Sequence, residues 1–249
     1  SFLSQLNSRQ QEIMTIDAET HSVLSQVRSL SEQTQGLFDI TTGTLKHCAQ
    51  LHSIDEVESC RSDLRHCMGP DSWQLIDKAI RFNNDKVKLD LGGVIKEVAV
   101  DQAGKLAQEA KLSALINFGG DIYVNGTKPN GDGFKVAIKN PKDPSQHIAV
   151  VQLSNQGLTT SAHYERNTLV EGKSYSHIID ARTEQTGGVN LDTSDQPQPT
   201  ILSATAISNS VLISGLLTTA LMIEPNLKPL PETHIVLIDD QLQVRHNLG

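Results

Sequence analysis

Apolar residues recur with a helical period early in the chain. Val23, Leu24, Val27 and Leu30 fall on one stripe and predict an amphipathic helix over residues 16–35. Asp17 is placed to cap it, Glu19 suits its first turn, and Gly36 is placed to stop it. A second, short helix is expected over residues 72–82. The period then changes. Residues 86–91 alternate as a strand does, and residues 94–110 return to a helix with Val98, Leu106, Ala107 and Ala110 turned inward. Strands are expected over 114–118, 122–125, 134–139, 148–153, 174–179 and 201–206, with Asn130-Gly131-Asp132-Gly133 as a turn. A last helix is expected over 208–223, capped by Ser208, followed by a hairpin of 234–238 and 242–245. Residues 184–199 carry Gly, Pro, Asp, Ser and Thr and read as a flexible loop. Mixed helices and mostly antiparallel strands define an α+β fold, as one domain or two lobes.

The 249 residues are enough to bury a substantial core. A net charge of -8 argues against a nucleic-acid surface. An anionic ligand would need local cations, for which Lys96, Arg166, Lys173 and Arg182 are candidates. Residues 201–223 come nearest to a membrane span but are broken by Ser, Thr and Asn. The first residues, Ser1-Phe2-Leu3-Ser4, read as domain interior and not as a signal peptide.

Cys48, Cys60 and Cys67 lie close together in sequence, among His47, His52 and His66. No C-x-x-C or His-x-x-x-His spacing supports a zinc or haem site. The cysteines fit a local disulfide with one spare thiol, or buried thiols.

Two glycine pairs carry the candidate chemistry. Asp90-Leu91-Gly92-Gly93-Val94-Ile95-Lys96 ends an apolar run and opens a helix, where free N–H groups can face a phosphate. Asn117-Phe118-Gly119-Gly120-Asp121 ends another, and fits a tight turn better than a phosphate contact. Asp180 and Arg182 suit either a ligand or a structural ion pair.

Six segments in order carry a family resemblance: Thr34 to Thr41, Asp90 to Lys96, Asn117 to Ile122, Thr160 to Arg166, His177 to Thr183, and Leu216 to Leu221. Together they resemble the ApbE family, the FAD:protein FMN transferases, from about Ser1 to Ile223. The resemblance implies mostly antiparallel sheets with packed helices. It also implies a strand before Ser1 that helps form the nucleotide pocket and has no counterpart in these residues. It implies FAD and magnesium, transfer of FMN to a Ser or Thr of a target flavoprotein with release of AMP, or hydrolysis of FAD. An exported, periplasmic or otherwise extracytoplasmic location is implied as well. By the same resemblance Phe38, Asp39 and Ile178 lie at the flavin, Asp90 and Gly92 at the nucleotide, and Lys96 at phosphate from the first turn of its helix. Gly93 would offer its carbonyl, and Thr219 its hydroxyl, to magnesium. His177 is the candidate to orient or deprotonate the incoming hydroxyl.

The chain departs from the family pattern at defined places. Gly215 stands where an Asp, one helical turn before Thr219, would face the metal. Glu97 follows Lys96 where Gly is usual. Ala162, Ala181, Glu184 and Ile40 replace Gly, Pro, Gly and Pro. These changes leave a second reading open, that of a catalytically impaired homologue that binds flavin or a partner protein.

Overall fold

A computed structural model describes residues 1–162, 167–176, 178–180 and 200–248. The helices are α1 (Phe2–Asn7), α2 (Ala18–Gln33), α3 (Gly43–Lys46), α4 (Ile54–Arg65), α5 (Gly92–Glu109) and α6 (Val211–Ile223). The first strands are β1 (Ile13–Thr15), β2 (Trp73–Ile76), β3 (Ala79–Phe82), β4 (Ala114–Phe118), β5 (Asp121–Asn125), β6 (Phe134–Asn140) and β7 (Asp143–Leu153). They are followed by β8 (Gln156–Ala162), β9 (Asn167–Val170), β10 (Lys173–Ser176), β11 (Ile201–Ser208), β12 (His234–Asp239) and β13 (Val244–His246). The expected α+β class is observed. The chain forms two compact units.

The first unit holds residues 1–91 together with β9, β10 and residues 178–180. Helix α2 forms as its pattern predicts. The Asp17 carboxylate accepts from Thr20 N–H at 2.7 Å, and Leu24, Val27 and Leu30 are buried. Residues 72–82, expected as a helix, are instead the antiparallel hairpin β2–β3. Trp73, Ile76 and Ile80 match a helical stripe, but Trp73, Ile80 and Phe82 are buried by alternation on paired strands. Aromatic and β-branched residues favour that pleated, half-buried setting.

Residues 86–91 do alternate, with Val87, Leu89 and Leu91 buried, yet they pair with no strand among the described residues. Side chains take their backbone groups. Asn7 bonds both N–H and C=O of Leu89 at 2.8 Å, Thr44 Oγ1 accepts from Lys88 N–H at 3.0 Å, and Arg9 donates to Val87 C=O at 2.7 Å. Gly43 permits this approach, because a Cβ there would lie 2.7 Å from the backbone of Lys88 and Leu89.

Helix α4 opens with a capping box, in which Ser53 and Glu56 bond each other's backbone N–H. A disulfide joins Cys48 to Cys60, and Cys67 is a buried free thiol. The cross-link closes a loop with a sequence separation of 12. Its reduction is expected to cost about 2–3 kcal/mol, read as a lower urea midpoint with reductant than without.

The second unit holds residues 92–162 and 200–248. Its six-stranded antiparallel sheet has the order β13-β12-β11-β8-β5-β4. One face packs on the β6–β7 hairpin through Ile122, Val124, Val136, Ile138, Val151, Leu153, Leu158, Ile207, Val236 and Ile238. The other face receives α5 and α6. Strand β8 was not expected from the pattern. Its Gly157 is needed for helix approach, since a Cβ there would lie 2.7 Å from Val211 N. Ala204 and Ala206 of β11, fully buried, keep the same face shallow.

Helix α6 is capped by Ser210 and not by Ser208, whose hydroxyl instead donates to Ser210 C=O and meets Ser214 Oγ at 2.9 Å. Ten of its thirteen residues are buried, so its apolar length reflects the core. No helix among the described residues is long and apolar enough to cross a membrane. The expected strand at 174–179 is β10, with residues 178–180 outside any strand and residue 177 outside the described residues. The loop expected at 184–199 also lies outside them.

Candidate active site

Helix α5 begins at the first glycine pair, and Gly93 faces open space, where an added Cβ would meet nothing within 4 Å. Its buried face is Val94, Glu97, Val100 and Gly104, not the expected Val98, Leu106, Ala107 and Ala110. Leu106 is 66% exposed. The inward face of α5 therefore carries a carboxylate and a glycine where apolar scoring looks for aliphatic residues. Gly104 is required by the Tyr123 ring, which an added Cβ would approach to 2.5 Å.

Lys96 lies just past the first turn of α5. Its Nζ pairs with Asp121 Oδ2 at 2.6 Å, with the aspartate side chain 4% exposed. The phosphate-facing lysine expected from the sequence thus already holds a buried carboxylate. Asp121 does not cap the second glycine turn. Asn117 does so, its Oδ1 accepting from Gly120 N–H at 2.9 Å. Gly119 and Gly120 have φ of +61° and +101° and make the two-residue turn of the β4–β5 hairpin.

Glu97 is 4% exposed and its Oε2 has no hydrogen-bond partner among the described residues. Burial, then the charge of Asp121, raises its carboxyl to about 7. In the unfolded chain this group ionises near 4.5. Folding therefore favours the protonated form. The resulting penalty is absent below pH 4.5 and fully present above pH 7. In a divalent-cation-free buffer, stability is expected to fall between those limits by on the order of 3 kcal/mol. Glu97→Gln should flatten that slope in urea melts taken across the same range.

On α6, Gly215 sits directly against this group. A Cβ at position 215 would lie 2.8 Å from Glu97 Cγ and 3.2 Å from Oε1. Thr219, one turn later and half-buried, donates its hydroxyl proton to Gly215 C=O at 3.1 Å. Thr218 Oγ1 donates to the same Gly215 C=O at 2.9 Å and meets Ser161 Oγ on β8 at 2.9 Å. Asp101 fixes the start of α6. Its carboxylate accepts from Ser210 Oγ and Val211 N–H at 2.7 Å and from Leu212 N–H at 3.1 Å. Of the residues expected from the sequence, Gly92, Gly93, Lys96 and Thr219 belong to the second unit, as do Glu97, Asp101 and Asp121.

The other expected residues belong to the first unit. Phe38 is buried in its core. Asp39 is buried and caps a short 3-10 turn, its Oδ1 accepting from Thr41 N–H and Oγ1 at 2.7 Å. Burial raises its carboxyl above the ordinary carboxylate range. Asp90 pairs with Lys46 Nζ at 2.9 Å, a cation that the motif does not contain. Ile178 is buried and Asp180 C=O accepts from Arg65. His177, Arg166 and Arg182 lie outside the described residues. His47, Cys48 and Cys60 cluster as metal ligands could, but the two sulfurs are bonded to each other and offer no thiolate.

The ApbE family model matches residues 1–230. The chain belongs to the ApbE family. A relative described as FAD:protein FMN transferase from Chlamydia pneumoniae is 26% identical over 214 residues, covering 84% of this chain and 64% of its own. One of the same description from Rhodobacter capsulatus is 28% identical, covering 84% of this chain and 39% of its own. The chain thus spans less than two thirds of the length of these two relatives. Among solved structures, the ApbE protein of Thermotoga maritima superposes with a TM-score of 0.81 at 22% identity, covering 98% of this chain and 81% of that one. The flavin transferase ApbE of Vibrio cholerae gives 0.74 at 20% identity, covering 98% and 79%. The fold expected from the six segments is the ApbE fold.

A divalent cation implied by the family can be tested against the second unit. Glu97 Oε2 is buried and unsatisfied, Thr219 keeps its oxygen lone pairs, and both offer the hard oxygen donors that magnesium requires. The donor set fits.

Proposed function

We propose that this ApbE-family chain transfers the FMN half of FAD to a Ser or Thr hydroxyl of a target flavoprotein, releasing AMP, with magnesium as cofactor. The observation that carries the reading is the family match over residues 1–230, joined to a glycine-opened helix whose inner face bears an unsatisfied carboxylate. Magnesium, held by Gly93 carbonyl and Thr219 hydroxyl, would neutralise charge on the diphosphate oxygens. The open backbone at Gly93 lets the diphosphate come close to main-chain atoms. Lys96 follows on the same helix, with its charge held by Asp121. Phe38, Asp39, Asp90, Gly92 and Ile178 are assigned to FAD, and His177 to the incoming hydroxyl, on the family pattern.

A location outside the cytoplasm is part of the proposal. Its support is the Cys48–Cys60 disulfide, since such cross-links persist in oxidising compartments. Fractionation of the host cell checks it, and recovery in the cytosol with reduced thiols removes it.

The deciding experiment incubates the chain with FAD, magnesium and a flavoprotein acceptor, and follows AMP and covalent flavin. Both products should form and both should stop with EDTA. Gly215 favours a second reading, because it removes the carboxylate that the family pattern places on α6. A yellow protein that forms neither product would establish that reading, a flavin-binding homologue without transfer. Absence of colour and of turnover would remove both.

A further inference from the structure

Glu97 has an environment that the fold alone does not explain. Its carboxylate is on the face of α5 that packs toward α6, and one oxygen lacks any donor among the described residues. The charged groups that face it are Asp121, Lys96 and Asp101. Lys96 is already paired with Asp121 at 2.6 Å. Asp101 is spent on the start of α6. The local sum is negative, and a buried, uncompensated carboxylate is costly.

The opposite wall is shaped to admit it. Position 215 is glycine, and any side chain there would enter the space of Glu97 Cγ and Oε1. One turn along α6, the Thr219 hydroxyl spends its proton on Gly215 C=O and keeps its lone pairs. The geometry points to Glu97 as the acidic ligand of a hard divalent cation of the magnesium and manganese class, bound on this face of α5 and α6 with Thr219 as a neutral oxygen ligand. Carboxylate and hydroxyl donors select such an ion over softer ones. The assignment rests on the reading of the chain as a magnesium-assisted FAD-cleaving protein, and it supplies the negative charge that Gly215 cannot.

Manganese(II) alone, titrated into the full chain without FAD and followed by electron paramagnetic resonance, tests the assignment. The chain should bind manganese, and magnesium should displace it. Glu97→Gln should weaken binding about tenfold or more, while circular dichroism shows an intact fold. The double variant Glu97→Gly with Gly215→Asp should bind manganese, since it returns one carboxylate to the same space from the other helix. Unchanged affinity in Glu97→Gln, or no manganese bound by the parent chain, overturns the assignment. AMP release from FAD by the parent chain is followed separately. Release together with unchanged manganese affinity in Glu97→Gln would sink the ligand assignment and leave the flavin reading. Lost affinity in that variant with no release by the parent chain would do the reverse.

Discussion

Gly215→Asp, made alone, is expected to lower the stability of the chain by roughly 4 kcal/mol. The new Cβ would sit 2.8 Å from Glu97 Cγ and 3.2 Å from its Oε1, and Glu97 is buried, so the side chain has little room to give way. A second carboxylate would also enter a space that already holds Glu97 and adjoins Asp121. The gain of about 1 kcal/mol from removing a helical glycine is too small to offset this. On sequence alone the same substitution looks like a repair of the metal site that should raise magnesium-dependent turnover. The packing of Glu97 against Gly215 reverses that expectation. Glu97→Gly combined with Gly215→Asp should recover most of the loss, so the two changes are strongly coupled in a double-mutant cycle. Urea unfolding of the four variants measures the coupling, and additive effects would refute the pairing.

Asp101→Ala is expected to cost a similar amount, roughly 4 kcal/mol, for a different reason. One carboxylate serves Ser210 Oγ and the N–H groups of Val211 and Leu212. Val211 is fully buried and Leu212 nearly so, so their N–H groups have little access to water in compensation. The carboxylate also opposes the positive end of a thirteen-residue helix. Asp101→Asn, which keeps the shape and one acceptor, should retain part of the stability. A thermal melt in which Asp101→Ala behaves as the parent chain would show that water replaces the cap.

Elements with a strong period were legible in the sequence. Helix α2, the start of α5, the strands β6 and β7 and the closing β12–β13 hairpin follow from local pattern. The failures have physical causes. Residues 72–82 satisfy two periods at once, and pairing between β2 and β3 decided for the strand. Residues 86–91 alternate as strands do, but Asn7, Arg9 and Thr44 supply the hydrogen bonds that a neighbouring strand would have given. Strand β8 is hidden from the hydrophobic pattern by Gly157 and its hydroxyl residues, which serve helix packing. The capping box of α4 was present as Ser53 and Glu56 and could have announced that helix.

The candidate site was half legible. The glycine-opened turn, Lys96 and Thr219 stand out by motif. Glu97 and Gly215 were visible only as two separate departures from the family pattern, 118 positions apart in sequence. Each alone resembles damage. In the fold they touch, and one makes room for the other. Nothing in a linear pattern marks residues that compensate across two helices. The Lys96–Asp121 pair is hidden for the same reason.

The Asp101 clamp has a consequence for how this unit breathes. Amides in the first turn of a helix ordinarily exchange with solvent by local fraying. Here the N–H groups of Val211 and Leu212 are held by a carboxylate of α5, so their exchange is expected to require that α5 part from α6. Their deuterium uptake should track the slowest amides of the sheet, making the junction of the two helices a single cooperative opening unit in which Gly215 and Thr219 stay in place until the whole unit opens.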